Sequence, residues 1–167
     1  KLLDFARKKE PLMQGTDINK LLEDMIKLVE KEAVHKGIVI TRNYAEGLPP
    51  VFTDTPLMRQ VALNLLNNAV YAIGGNGGIT VVTRTGDDEK IVIEFRDTGC
   101  GIAKEDLARI FDPFFTTKPQ GKGTGLGLSI CHGIVTRLGG LIRVESKPGE
   151  GSTFFVSLPL KKQKGVE

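Results

Sequence analysis

Three asparagines fall close together at Asn64, Asn67 and Asn68, in a segment whose apolar residues repeat at helical spacing. Asn64, Asn68 and Tyr71 stand at i, i+4 and i+7, so on a helix they share one face. Asparagine is a poor interior helix residue, because its amide competes for backbone hydrogen bonds. A solvated face accounts for one such residue. A stacked pair beside two glycine clusters reads better as the polar floor of a ligand site. An amide oxygen there suits a hard cation such as Mg²⁺, which keeps several waters and bridges to phosphates through few protein ligands.

Two glycine clusters supply further chemistry. Asp97-Thr-Gly-Cys-Gly-Ile follows a strand pattern that ends near Phe95. A carboxylate at a strand end can face a cleft, and the bare backbone at Gly99 and Gly101 lets a planar ligand approach. The carboxylate only accepts hydrogen bonds, so its partner would be an amino group. Adenine carries one at its six-position, where guanine carries a carbonyl. A capping aspartate in an ordinary turn is the plain alternative, and this segment alone does not decide. Gly121-Lys-Gly-Thr-Gly-Leu-Gly-Leu-Ser runs directly into a helix pattern. A helix N-terminus presents free N–H groups and a positive dipole end, which favours phosphate, and Lys122 would add charge. Flexibility alone does not require glycine at alternate positions 121, 123, 125 and 127. The loop is not a Walker P-loop, since GxxxxGK[ST] does not occur, and no strand leads straight into it as in a dinucleotide fingerprint. The eukaryotic-type protein kinase motifs do not occur either.

These groups need elements to hold them. Residues 1–9 read as the end of a helix closed near Pro11. Thr16 or Asp17 caps a second helix that runs to about His35, and Gly37 ends it. A strand is predicted over 38–42 and a short extended piece near 48–52. Thr55-Pro56, a hydroxyl cap followed by proline, starts the asparagine-bearing helix, which stops at Gly74-Gly75. Strands over 79–84 and 90–96 form a hairpin through Gly86-Asp87-Asp88. Residues 103–110 read as a short helix, and 111–124 as a long irregular loop. Thr124 or Gly125 opens another helix that ends at Gly139-Gly140. Strands over 141–145 and 153–158 close the pattern. The expectation is α/β: a two-layer α/β sandwich whose mixed, mostly antiparallel sheet is covered on one face by helices.

Bulk properties fit one domain. The chain has 167 residues, 40% hydrophobic and 26% charged, with a net charge of +3. That charge is too small for a nucleic-acid-binding face, so no nucleic acid partner is expected. Cys100 and Cys131 show no CxxC spacing and read as free thiols in a reducing compartment. No apolar run approaches bilayer length, so this stretch is expected to make no membrane contact and to be cytoplasmic. The lysine-bearing residues 161–167 read as a tail.

Together the motifs resemble the GHKL ATPase superfamily, and within it the catalytic ATP-binding domain of two-component sensor histidine kinases. Gln60-Val-Ala-Leu-Asn-Leu-Leu-Asn-Asn-Ala is similar to the family's N box, and Asp97-Thr-Gly-Cys-Gly-Ile to its G1 box. Ile110-Phe-Asp-Pro-Phe-Phe-Thr-Thr-Lys is similar to the F box, Gly123-Thr-Gly-Leu-Gly-Leu-Ser to the G2 box, and Gly149-Glu-Gly-Ser-Thr-Phe to the closing strand motif. The order and spacing agree over residues 50–160. The resemblance implies a Bergerat-type ATP-binding fold with ATP and Mg²⁺ as cofactors. Asn68 would hold Mg²⁺, with Asn64 one turn earlier near the phosphates. Asp97 would read the adenine amino group, in a pocket shaped by Gly99, Gly101 and Ile102, and Thr153 would support hydrogen bonds on that side. Gly123, Thr124, Gly125, Leu126, Gly127 and Leu128 would wrap the triphosphate. Residues 111–124 would form the ATP lid, with Lys118 or Lys122 reaching the phosphates. Phe111, Phe114 and Phe115 read equally as lid contacts or core packing. Family members often carry a basic residue where Tyr71 stands, so a lid lysine would take over there. The short lid resembles that of the nitrogen-regulation type of sensor kinase.

Hydrolysing members of the superfamily place a glutamate four residues before the metal-binding asparagine. Here Asn64 occupies that position and cannot act as a general base, which favours phosphoryl transfer to a protein histidine. His35 and His132 lie outside any phosphoacceptor motif and read as structural or exposed. The expected acceptor is therefore a histidine-bearing dimerisation domain of the same protein, with residues 1–15 as the end of that helical region and its linker, and a response regulator receiver domain as downstream partner. The stretch 16–160 is expected to bind Mg-ATP without phosphorylating itself. The competing readings are a GHKL-type ATPase and a nucleotide-sensing binding module; an anti-sigma serine kinase would share the fold.

Overall fold

The computed structural model describes residues 10–119 and 125–160. In chain order these form β1 (Gln14–Thr16), α1 (Ile18–His35), β2 (Ile38–Asn43), β3 (Val51–Thr53), α2 (Thr55–Ile73), β4 (Gly77–Gly86), β5 (Lys90–Asp97), α3 (Gly127–Arg137), β6 (Leu141–Lys147) and β7 (Gly151–Pro159). Five strands make one sheet in the order β2-β4-β5-β7-β6. β2 runs parallel to β4, and every other neighbouring pair is antiparallel. β1 and β3 form a separate antiparallel ribbon.

Strand alternation decides which face is covered. Ile91, Ile93 and Phe95 of β5 point to the helices together with Phe154, Val156 and Leu158 of β7, and all are buried. Arg84, Arg96 and Arg143 belong to the other face, where Arg84 and Arg96 flank the Glu94 carboxylate and Arg143 lies over the Phe155 ring. The helices bury complementary stripes: Leu22, Ile26 and Val29 on α1, and Val61, Leu65 and Leu66 on α2. Each such side chain contributes about 1.5–3 kcal/mol on burial, so the stripes fix how α2 lies on the sheet. The sandwich and its mixed sheet are therefore as expected.

The two helix starts are resolved at single-residue level. Asp17 caps α1 by accepting the Lys20 N–H at 3.1 Å, while Thr16 closes β1. The cap of α2 is Asp54, not Thr55. Its Oδ1 accepts the Leu57 N–H at 3.0 Å and its Oδ2 accepts the Leu12 N–H at 2.9 Å. The carboxylate has two oxygens, so each donor meets its own acceptor. Thr55 is the first helical residue, and its hydroxyl instead meets that of Thr16 at 2.6 Å.

One further expectation is corrected, and one strand is added. Residues 103–110 form a run of turns, not a helix. Leu107 N–H reaches both Ala103 and Lys104, and Arg109 and Asp112 close shorter loops onto Asp106 and Arg109. With Ile110 as the buried residue of the segment, little packing supports a regular helix of so few residues. The ribbon strand β1 was not foreseen, because Gln14-Gly-Thr carries no strand pattern and its partner β3 lies far along the chain.

Candidate functional site

The exposed face of α2, the β5–turn junction, the 103–118 segment and the start of α3 enclose a cleft of about 500 Å³. α2 contributes Asn64, Asn67, Asn68 and Tyr71. Their backs, at Val61, Leu65 and Ala69, are buried, so helix packing aims the amides into the cleft. The Asn64 side chain also hydrogen-bonds to the buried Cys131 thiol of α3, whose pKa burial pushes up to about 11.

Asp97 closes one wall from the last position of β5. It is 8% exposed. Its Oδ1 accepts the Gly99 N–H at 2.9 Å, and the Ser152 N–H also donates to the carboxylate. Burial holds the carboxyl above its ordinary range, while these two donors pull the other way. A carboxylate offers about four acceptor positions, so capacity remains for a ligand donor. The glycines beside it are required by close approach. A Cβ on Gly99 would meet the Ala72 backbone at 2.7 Å. Gly101 has φ +74° and lies against the Lys147 carbonyl. The Cys100 N–H bonds to the Ala72 carbonyl at 3.0 Å, and the Ile102 N–H to Ser146 Oγ at 2.8 Å. These bonds tie the loop to both α2 and β6.

α3 starts at Gly127 with Leu126 in the capping position and no side-chain cap. Gly125, Gly127 and Leu128 line the cleft. An uncapped first turn leaves N–H donors and the positive end of the dipole available to an anion. Lys118 lines the cleft too, its ammonium 4.4 Å from the Tyr71 ring centroid, and burial lowers its pKa. Lys122, Gly123 and Thr124 lie outside the described residues. So do residues 1–9 and 161–167.

Asn64, Asn68, Tyr71, Asp97, Gly101, Ile102 and Lys118 thus converge with the start of α3, while Gly99 and Leu126 shape the cleft from behind it. Thr153 does not converge. It pairs in register with Arg96 and Glu145, on the outer face, whereas Ser152 pairs with Asp97 and lines the cleft. Adjacent strand residues point to opposite faces, so only one of the two hydroxyls can reach the site. The helix-facing parity of Phe154 could have identified Ser152 from the sequence. Other lining residues, including Asp106, Phe115 and Thr116, follow from the path of the 103–118 turns, which no local pattern announces. Phe111 and Phe115 pack against the core, and Phe114 is 73% exposed. Both histidines are exposed, His132 against the Phe111 ring.

For a cation, the site offers amide oxygens rather than a cage. Among the described residues no group of three His, Cys, Asp or Glu side chains could hold a metal. Asn64 and Asn68 fit a hard ion that receives most of its ligands from phosphate and water. Among the described residues, no helix is long and apolar enough to cross a membrane.

Residues 53–162 match the family described as histidine kinase-, DNA gyrase B-, and HSP90-like ATPase. The chain is 40% identical over 162 residues to the signal transduction histidine-protein kinase AtoS of Escherichia coli, covering 97% of this chain and 26% of AtoS. It is 39% identical over 159 residues to the sensor histidine kinase ZraS of the same species, covering 34% of that protein. The chain thus spans about a quarter to a third of the curated relatives it matches. Among solved structures, full-length ShkA in complex with AMPPNP superposes with a TM-score of 0.85 at 31% identity, covering 97% of this chain and 35% of ShkA. The catalytic domain of histidine kinase ThkA superposes with a TM-score of 0.80 at 32% identity, covering 89% of this chain and 95% of that domain. ThkA has also been solved in complex with the response regulator protein TrrA; that ThkA chain gives a TM-score of 0.80 at 27% identity, covering 96% of this chain and 45% of its own length.

Proposed function

Since the chain belongs to the histidine kinase-, DNA gyrase B- and HSP90-like ATPase family, we propose that its cleft binds Mg-ATP and donates the γ-phosphoryl group to a histidine on a separate dimerisation domain. One observation carries the reading. A buried carboxylate with spare acceptor capacity, Asp97, and an uncapped helix start at Gly127 belong to one cleft; α2 meets α3 at Val61 and the loop after Asp97 at Ala72, and Asn64 and Asn68 stand between those two contacts. That order suits a ligand with an amino-bearing ring at one end and a polyanion at the other.

Each group then has a part. Asp97 accepts from the adenine amino group, and the Gly99–Ile102 loop gives the ring a flat wall. The first turn of α3 and Lys118 face the phosphates. Asn68 would offer its amide oxygen to Mg²⁺, with Asn64 one turn earlier near the phosphates, and the ion would neutralise phosphate charge. Phosphoryl transfer asks mainly for positioning and charge stabilisation, so a site without a general base is adequate for an imidazole nucleophile. Activation of water is a different demand, and Asn64 cannot meet it. The response regulator in the ThkA complex supports a receiver domain as the onward partner. The nitrogen-regulation type of lid belongs to this proposal as well.

The test is a transfer assay with γ-labelled Mg-ATP, run on this chain alone and after adding the dimerisation domain of the full-length protein. Acid-labile label should appear on the added domain and not on this chain. Label on His35 or His132, or steady phosphate release without acceptor, would sink the proposal. The latter outcome would favour the hydrolase reading.

A further inference from the structure

Lys118 is the one cation among the described residues that line the cleft, beside the carboxylates of Asp97 and Asp106. The part of α2 that lines the cleft, from Asn64 to Ala72, brings amides and a tyrosine but no positive charge. Lys118 forms no ion pair with a described carboxylate; its ammonium sits 4.4 Å from the Tyr71 ring centroid instead. Its own N–H bonds to Thr116 Oγ1 at 3.0 Å, which shapes the turn that delivers it. An ammonium has three donors, and a ring face engages one direction, so donors remain for a ligand. Tyr71 lies on the cleft face of α2 one turn beyond Asn68.

We propose that Tyr71 is a positioning residue: its ring holds the Lys118 ammonium in the cleft, so that a lysine from the lid segment supplies the charge for the nucleotide's phosphates. This rests on the nucleotide reading above. A free lysine would lose its rotamer freedom when it met the phosphates. Stacked on Tyr71, it is restricted before the nucleotide arrives. Partial burial disfavours the ammonium and lowers its pKa, and a phosphate beside the held lysine would offset that with a counter-charge. A structural role for Tyr71 would be simpler: the lysine stem shielding a half-exposed ring. The two roles differ in which ligands feel the change.

Calorimetric titrations of this chain with Mg-ATP and with adenosine separate them, using the wild type, Tyr71→Leu, Tyr71→Phe, Lys118→Met and the Tyr71→Leu/Lys118→Met double variant. Tyr71→Leu and Lys118→Met should each weaken ATP about tenfold, as expected for a desolvated cation–ring contact. The double variant should lose no more than the worse single one, because both remove one device. Tyr71→Phe, which keeps the ring, should recover most of the loss seen with leucine. Adenosine should bind all five proteins alike. Wild-type ATP affinity in Tyr71→Leu, multiplied losses in the double variant, or a parallel loss of adenosine would each overturn the positioning role while leaving the nucleotide site intact. A wild type that binds neither ligand would overturn both.

Discussion

Replacing Asp97 with asparagine tests the adenine wall directly, and the structure sets the size of the effect. The carboxylate already accepts the Gly99 and Ser152 N–H groups. The amide oxygen of Asp97→Asn can accept both, so the loop should keep its shape. For the ligand the change is severe: a charge-assisted acceptor becomes a group that can turn an N–H toward the adenine amino group. Hydrogen bonds to charged groups contribute about 1.5–3 kcal/mol. That predicts a loss of about ten- to hundredfold in affinity for ATP, and equally for adenosine. Stability should move the other way. Burial raises the Asp97 pKa, so the ligand-free fold favours the protonated form. That contribution is present in acid, below the unfolded value, and is lost as pH rises through the folded one. The asparagine variant has no charge to bury and should melt at or above the wild-type temperature at neutral pH. ATP needs the ionised acceptor, so wild-type affinity should fall in mild acid as Asp97 protonates, and the variant should lack that limb. Calorimetry and thermal melts at neutral pH and in mild acid cover all three points. Unchanged ATP affinity, or a variant that melts well below the wild type, would refute the assignment.

Two other expectations concern the frame around the site. Gly101→Ala places a side chain at φ +74° against the Lys147 carbonyl and should cost about 1–3 kcal/mol, read as a lower urea midpoint, with nucleotide binding weakened alongside. Glu23 receives a two-pronged contact from Arg42, with both N–O distances at 3.0 Å, and the hydrogen bond to Arg42 holds its pKa below the ordinary 4.5. Its side chain is 33% exposed, so solvent screening limits Glu23→Gln to about 1 kcal/mol or less. The difference from wild type should be present at neutral pH and vanish as pH falls through the lowered Glu23 value; urea midpoints in neutral and acidic buffer measure it, and a difference that persists in acid would discount the ion pair.

Much of the frame was legible because it is periodic. The 3.6-residue repeat of Val61, Leu65 and Ala69 fixes which face of α2 is buried, and so which face carries Asn64, Asn68 and Tyr71. The two-residue repeat of Ile91, Ile93 and Phe95 brings Asp97 to the strand end with its side chain on the helix side. Segment 103–110 misled, because its scatter of apolar residues resembles a helical turn although Ile110 is the residue that finds the core. The Thr55 cap misled because Asp54 also had to satisfy Leu12, a partner 42 residues away.

By itself the sequence determined the motifs, their order and spacing, the faces of the regular elements, and through these the family. Those features reside in local backbone geometry and in side-chain types, which a linear pattern records. Tertiary structure decided which of Ser152 and Thr153 faces the cleft, since a shift of one residue in strand register exchanges the two faces. It also decided that β2 joins β4 in parallel, and that Lys118 lies on Tyr71. These are contacts between segments far apart in the chain, settled by how the helices pack on the sheet and where the 103–118 turns are anchored.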